Sequence, residues 1–230
     1  MPSEKEVYEA HADQYERMIQ REDHQGNILR EIEKLVALEN LDVVDLGAGT
    51  GRLTRLLAPK VPSIRAFDAS GHMLAKAAKS LEEMEMKNWE TSVADHRKIP
   101  LADESVDLVV SGWSFCYLAV WGGEEWKTAL EAGLTEMRRI LKPGGMMILF
   151  ETEGTGVSTP TPPAHLDGYF AFLAEAGFGS RAFRTDYSFA SLSEAEELST
   201  FFFGAEMGQK VVEKNWQILP EYTRVFWRVK

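Results

Sequence analysis

Short runs of aliphatic and β-branched residues alternate with helical-period segments over the first two thirds of the chain. Leu41–Leu46, Ile64–Phe67, Val106–Val110 and Met146–Phe150 are the apolar runs, and Thr50–Leu57, His72–Met86 and Glu124–Leu141 carry apolar residues at helical spacing between them. Within those runs VVDL, DLVV and MMILF are nearly continuous rather than alternating, the pattern of strands buried on both faces. Strands separated by helices predict a doubly wound, Rossmann-like α/β fold: a mostly parallel sheet with helices on both faces. Ahead of the first strand, residues 1–38 read as two helices, with Ile28, Leu29, Ile32, Leu35 and Val36 forming one apolar stripe.

The last third is less regular. GTGVSTPTPP, Gly154–Pro163, reads as one long loop. Beyond it, His165–Ala176 predicts a helix, Phe183–Phe189 a strand, Ser193–Met207 a helix and Tyr222–Val229 a strand. Strict alternation in YTRVFWRV places that last strand at an edge or in an antiparallel position.

Composition narrows the partners. The chain has 230 residues, 44% hydrophobic and 27% charged, an ordinary globular profile. Lys plus Arg is 25 against 36 Asp plus Glu, so 25 − 36 = −11, and no cation cluster offsets it; nucleic acid is an unfavourable partner. No apolar run approaches the ~18 residues needed to cross a bilayer, and no basic amphipathic helix is visible, so a membrane is not expected either. A lone Cys116 forms no intramolecular disulfide, and the first residues lack an apolar signal segment; a cytoplasmic protein is the expectation.

The first strand runs into Asp45-Leu-Gly47-Ala48-Gly49-Thr-Gly51-Arg52. Glycines at a strand-to-helix turn permit positive φ and close ligand approach, and the unpaired N–H groups of the following helix favour an anionic ligand group. A dinucleotide fingerprint needs a third glycine where Arg52 stands, and no lysine follows the glycines as in a phosphate-cradling loop. What fits is a nucleoside-like ligand with a smaller anion. Asp68 ends the second strand 21 positions past Gly47, close to the ~20 at which a carboxylate accepts ribose hydroxyls.

Together with Tyr8-x3-Ala12-x2-Tyr15, FDAS with Met73 following, VADHRKIPLADESVDLVV at 93–110 and LKPGG at 141–145, the segment VVDLGAGTGRL resembles the class I S-adenosylmethionine-dependent methyltransferases, small-molecule group. The resemblance implies a single methyltransferase domain over 1–230: a helical lid at 1–38, a cofactor-binding core at 39–152, and a part at 153–230 that completes the sheet and walls an acceptor pocket. It implies S-adenosylmethionine as cofactor and S-adenosylhomocysteine as product. By position, cofactor-binding residues are Tyr15, Asp45, Gly47, Ala48, Gly49, Asp68, Ala69, Met73, Asp95, His96, Ser111, Gly112 and Trp113. Asp68 would hold the ribose, Asp95 with His96 the adenine, and the glycine turn the methionine end. Tyr8 and Tyr117 would face the acceptor. Taken singly, the same residues also read as a tight left-handed turn, a helix N-cap and a surface loop.

Methyl transfer is an in-line displacement at an activated carbon, so positioning and exclusion of water supply most of the acceleration. A hydroxyl acceptor also needs a base; His11, His165 or a tyrosinate fit chemically, but no general base is assigned. Trp113, Phe115, Tyr117, Trp121 and Trp126 cluster after the fourth strand. Their faces suit a flat or cationic ligand, Trp113 and Tyr117 most, whereas Trp121 and Trp126 read as packing a helix on the sheet. Cys116 reads as packing, and no residue grouping has metal-ligand spacing. Open alternatives are a protein methyltransferase, an aminopropyl transferase using the decarboxylated cofactor, an NAD(P)-binding oxidoreductase, and a non-catalytic cofactor-binding module.

Overall fold

The computed structural model describes residues 12–230. They group into two compact units. One comprises Glu31–Glu151, Pro162–Arg181 and Arg224–Lys230; the other comprises residues 12–30, Thr152–Thr161 and Ala182–Thr223.

Seven strands form a sheet in the order β3-β2-β1-β4-β5-β9-β6. β1 (Asp42–Leu46) pairs in parallel with β2 (Ser63–Asp68) on one side and with β4 (Val106–Gly112) on the other. β3 (Trp89–Val93) lies outside β2, and β5 (Leu141–Thr155) outside β4, both parallel. Helices α3 (Arg52–Leu57) and α4 (Gly71–Glu83) connect β1 to β2 to β3, and α6 (Trp126–Ile140) connects β4 to β5. The chain therefore winds outward from β1, then returns to build β4 on its other side. That reversal leaves a crevice between the carboxyl ends of β1 and β4, where ligands of open α/β sheets bind. β9 (Glu221–Val229) runs antiparallel: the Lys230 N–H donates to the Gly145 carbonyl at 2.8 Å, so its end meets the start of β5. β6 (Gly179–Arg184) completes the edge.

Burial explains the strands. Across the sheet, Leu46 stands beside Phe67 and Val44 beside Val109, all on one face. They pack with Leu130, Leu134 and Met137 of α6 and with Tyr169, Phe172 and Leu173 of α7 (Asp167–Glu175). On the opposite face Ala66, beside Asp45, packs with Ala48 and Leu74 of α4. The second unit has its own apolar cluster. Met18 of α1 (Ala12–Ile19) joins Ala195 and Leu198 of α8 (Leu192–Phe203), Val211 of α9 (Ala205–Glu213) and Tyr187, Phe189 and Leu219. α2 (Asn27–Glu33) precedes β1, and the four-residue α5 (Tyr117–Val120) follows β4.

One strand goes beyond the expectations and two expectations are corrected. β3 was not visible in the sequence because, as an edge strand, it leaves most of WETSV exposed, with no apolar run to mark it. The helix expected over Ser193–Met207 is two helices, because Gly204 adopts φ 94° and ψ 168°, outside the helical region. The strand expected over Phe183–Phe189 breaks after Arg184. There Asp186 accepts the Arg184 guanidinium and the Glu221 N–H, and β7 (Tyr187–Ser188) then pairs separately with β8 (Ile218–Leu219). The Lys142-Pro-Gly-Gly145 turn lies within β5 as an irregularity: Leu141 pairs with Val106 and Met146 with Leu108, so four residues stand opposite one.

Leu149, fully buried in the main cluster, tests that core. Leu149→Ala is expected to lower the unfolding free energy by about 2–5 kcal/mol in urea titration, as cavity-forming core truncations do.

Candidate active site

Three strands of the sheet carry an acid, and each is held differently. Asp68, at the end of β2, accepts the Gly49 N–H on Oδ2 at 2.9 Å and the Ser70 N–H on Oδ1 at 2.8 Å. Ser70 in turn caps α4, its hydroxyl accepting the Met73 N–H at 3.3 Å. The N-cap of that helix is thus Ser70, and Asp68 is left tying the two turns together. Asp45, on β1, is buried, accepts the Thr54 hydroxyl at 2.6 Å, and has its Oδ1 without a hydrogen-bond partner; burial pushes its carboxyl up to about 7. Glu151, on β5, is also buried and pushed up to about 7 by burial. Its Oε1 accepts the Tyr169 hydroxyl at 2.9 Å and the Cys116 N–H at 3.2 Å.

The bend after β1 is left-handed at Gly47, Gly49 and Gly51. Gly47 has φ 69°, and a Cβ there would lie 1.8 Å from Ser114 Oγ and 3.1 Å from His96 Cε1, so no larger residue fits. His96 Nε2 lies 3.0 Å from Ser114 Oγ, and its ring meets Phe115 edge-on at 5.7 Å. Burial lowers the His96 imidazole to about 4, so it is neutral at ordinary pH, and its Nδ1 is closed off without a hydrogen-bond partner. Gly49 is different. A Cβ there would meet only Met73 Cε, at 3.8 Å, which leaves this part of the bend open. The bend's N–H groups turn inward: Gly47 and Ala48 donate to the Phe67 carbonyl at 2.7 and 3.0 Å, Gly51 to the Ala48 carbonyl at 2.8 Å, and Gly49 to Asp68. The anion preference expected from bare N–H groups therefore finds these four already used, and α3 has only six residues to align its dipoles.

On the β4 side, the Ser111 hydroxyl is buried and donates to the Leu46 carbonyl at 2.7 Å, stitching the ends of β4 and β1. A Cβ on Gly112 would lie 2.9 Å from Leu53 Cδ1, so glycine lets α3 close on β4. Next to this contact the Arg52 guanidinium lies 3.9 Å over the Trp113 ring. Trp113 has φ 49°, rare for a bulky side chain, and is held there by its N–H to the Phe150 carbonyl at 2.7 Å and by stacking on Phe150.

The structure thus brings Gly47, Ala48, Gly49, Asp68, Met73, His96, Ser111, Gly112 and Trp113 to one end of the sheet, with Asp45 buried beneath. Ala69 is exposed beside Asp68. Asp95 follows β3 but gives its carboxylate to Arg97 through two 2.7 Å hydrogen bonds, which hold it down at about 2. Tyr117 stacks on Trp121 at 4.2 Å; Trp121 is exposed rather than packed on the sheet, whereas Trp126 does pack, edge-on to Phe172. Tyr15 belongs to the other unit, its ring 5.8 Å from Phe202. Tyr8 and His11 lie outside the described residues, and His165 is exposed. Sequence reasoning missed Ser114, Arg52, Glu151 and Tyr169. Arg52 registered only as a missing glycine, although an acid closing the apolar run MMILF was a readable signal for Glu151. Among the described residues no three His, Cys, Asp or Glu side chains gather as metal ligands, and no helix is long and apolar enough to cross a membrane.

Residues 44–149 match the family described as methyltransferase domain. A demethylmenaquinone methyltransferase of Desulfitobacterium hafniense is 30% identical over 146 residues, 62% of this chain and 52% of that protein. Malonyl-[acyl-carrier protein] O-methyltransferase 1 of Coxiella burnetii is 33% identical over 136 residues, 58% of this chain and 41% of its own. The chain spans about half the length of the curated relatives it matches. Among solved structures, an S-adenosylmethionine-dependent methyltransferase from Aquifex aeolicus superimposes with a TM-score of 0.57 at 18% identity, covering 86% of this chain and 87% of that one.

The two raised carboxyls set a pH dependence. Asp45 and Glu151 keep their protons in the folded chain up to about pH 7, whereas the unfolded chain releases them near 3.8 and 4.5. The stability they contribute is full below the unfolded values and is lost as pH rises through 7. Unfolding free energy is expected to fall between pH 5 and 8, and Asp45→Asn with Glu151→Gln to flatten that fall, as read from urea titrations at several pH values.

Proposed function

We propose that this chain, whose residues 44–149 match the methyltransferase domain family, moves a methyl group from S-adenosylmethionine to an oxygen or nitrogen of a small-molecule acceptor. The observation that carries the reading is the Asp68 carboxylate beside the open bend at Gly49. It is half-buried, fixed by two backbone N–H groups, and each oxygen keeps a lone pair for a ribose hydroxyl. An adenosyl ligand fits these residues: an acceptor for the sugar diol, the buried Met73 side chain beside the bend for the adenine face, and room at Gly49 for close approach.

The bound sulfonium supplies an activated methyl carbon. The chain's own groups position it and exclude water. Asp95 reaches an adenine amino group by exchanging its Arg97 partner. Ser111 and Gly112 hold the floor at the end of β4. No general base is assigned; a neutral amine acceptor needs none once desolvated, and a hydroxyl does. The small-molecule class rests on the demethylmenaquinone named for one relative and on the −11 net charge, which opposes a polyanionic acceptor. A dinucleotide is disfavoured by Arg52 in place of the third fingerprint glycine.

Unfolding measured with S-adenosylmethionine, S-adenosylhomocysteine and NADH in parallel tests the reading. Either adenosyl ligand at 100 times its dissociation constant is expected to add about 2.7 kcal/mol of stability, and NADH none. Asp68→Ala is expected to abolish the adenosyl effect. Stabilisation by NADH alone would overturn the assignment.

A further inference from the structure

The geometry points to Arg138 and Arg228, neighbouring guanidiniums at the end of the sheet away from the glycine bend, as a binding site for a phosphate dianion. The site is independent of the methyl-donor reading above. Strand alternation puts Arg228 on the same face of β9 as Phe226, which packs in the main cluster with Leu134 and Met137 of α6 and Leu173 of α7. Because β9 is antiparallel, its last residues lie at the start of β5, where the Lys230 N–H meets the Gly145 carbonyl. Arg138 stands in the last turn of α6, just before the chain enters β5 at that same rim. There α7 also ends: Gly177 is left-handed, the Phe178 N–H donates back to the Leu173 carbonyl at 3.0 Å, and the Arg228 guanidinium donates to the Ala176 carbonyl. A Cβ on Gly177 would stand 3.8 Å from Arg228 Cζ, so the bare turn lies against the guanidinium.

The cations at this end of the sheet are of two kinds. Arg139 reaches Asp103 and Glu136 at 2.8 Å, Lys142 reaches Asp107 at 2.9 Å, and Lys230 reaches Glu104 at 3.2 Å. Among the described residues neither Arg138 nor Arg228 forms an ion pair, in a chain with 36 acids to 25 Lys and Arg. Burial, then the charge of Arg228, push the Arg138 guanidinium down, and Glu131, two turns earlier on α6, offsets this without reaching contact. Arg138 Nε is buried and has no hydrogen-bond partner. Helix C-termini attract cations, and the Ala176 carbonyl accounts for one N–H of Arg228. Neither supplies a partner for Arg138 Nε or a counter-charge for the pair. Two guanidinium forks side by side match the oxygens of a phosphate group, whose charge near −2 balances both.

Calorimetric titration of the full chain with sodium phosphate near neutral pH, at ionic strength held constant with sodium chloride, tests the site. The wild-type chain is expected to bind phosphate, and Arg138→Gln to bind it at least tenfold more weakly, the loss of a charge-assisted hydrogen bond. Arg138→Lys, which keeps the charge but not the fork, is expected to lie between, and it decides the matter should the glutamine variant misfold. Glycerol 3-phosphate titrated alongside separates the sources of the group: tighter binding than inorganic phosphate assigns the phosphoryl group of a larger molecule, and equal or weaker binding assigns the free anion. No phosphate binding by the wild-type chain, or equal binding by wild type, Arg138→Gln and Arg138→Lys, overturns the proposal.

Discussion

Asp68 is the hinge on which the ligand end of the sheet is built. One carboxylate accepts the Gly49 N–H from the turn after β1 and the Ser70 N–H from the turn after β2, so two loops 21 residues apart, Gly49 and Ser70, are locked to a single charged group. Hydrogen bonds to an ionised acceptor are stronger than neutral ones, and these two act where the backbone has no sheet partner left. Locking Gly49 fixes the bend that also aims the Gly47 and Ala48 N–H groups at the Phe67 carbonyl. The geometry that makes the bend rigid thereby uses up its donors. On the proposed reading, recognition of a ligand there falls to side chains, Asp68 first among them.

The acids at the strand ends divide by environment. Asp45 and Glu151 point into packed surroundings, where burial raises both carboxyls to about 7 and their partners are a threonine hydroxyl, a tyrosine hydroxyl and a backbone N–H. Such groups serve as neutral hydrogen-bonding fixtures below neutrality: Asp45 ties β1 to α3, and Glu151 ties the loop at Cys116 to α7. Asp68 sits half-exposed at the rim, with backbone donors on both oxygens. Three similar residues therefore do different work, and the difference lies in burial and partners rather than in residue type.

Legibility of the sequence follows the same physics. β1, β2, β4 and β5 were readable because central parallel strands are apolar on both faces, and β9 because strict alternation marks a different position. β3 was not, since an edge strand needs no apolar run. The bend, Asp68 and Met73 were readable because backbone conformation and strand ends tie them to fixed positions. Ser114 and Glu151 were not singled out, because their roles arise from contacts between residues 18 and 35 apart in sequence, with His96 and with Cys116. Gly204 ended a helix whose apolar pattern ran on to Met207, a case of backbone conformation overriding periodicity. Asp95 was legible as a position but not as a pair, since the Arg97 fork that occupies it depends on how the loop turns back.

The family match ends at residue 149, and the proposed function suggests a physical reason. On the proposed reading, holding a nucleoside requires hydrogen bonds of fixed length from groups on separate strand ends, such as Asp68. Shaping an apolar or aromatic surface for an acceptor is satisfied by many combinations of side chains of suitable volume. Clusters such as Tyr15 with Phe202, or Tyr187 with Phe189 and Phe203, fill space by stacking and tilting, without demanding particular spacings. Discrimination between acceptors then comes from the few polar groups set into such a surface, because an unpaired buried polar group costs far more than a methylene misfit.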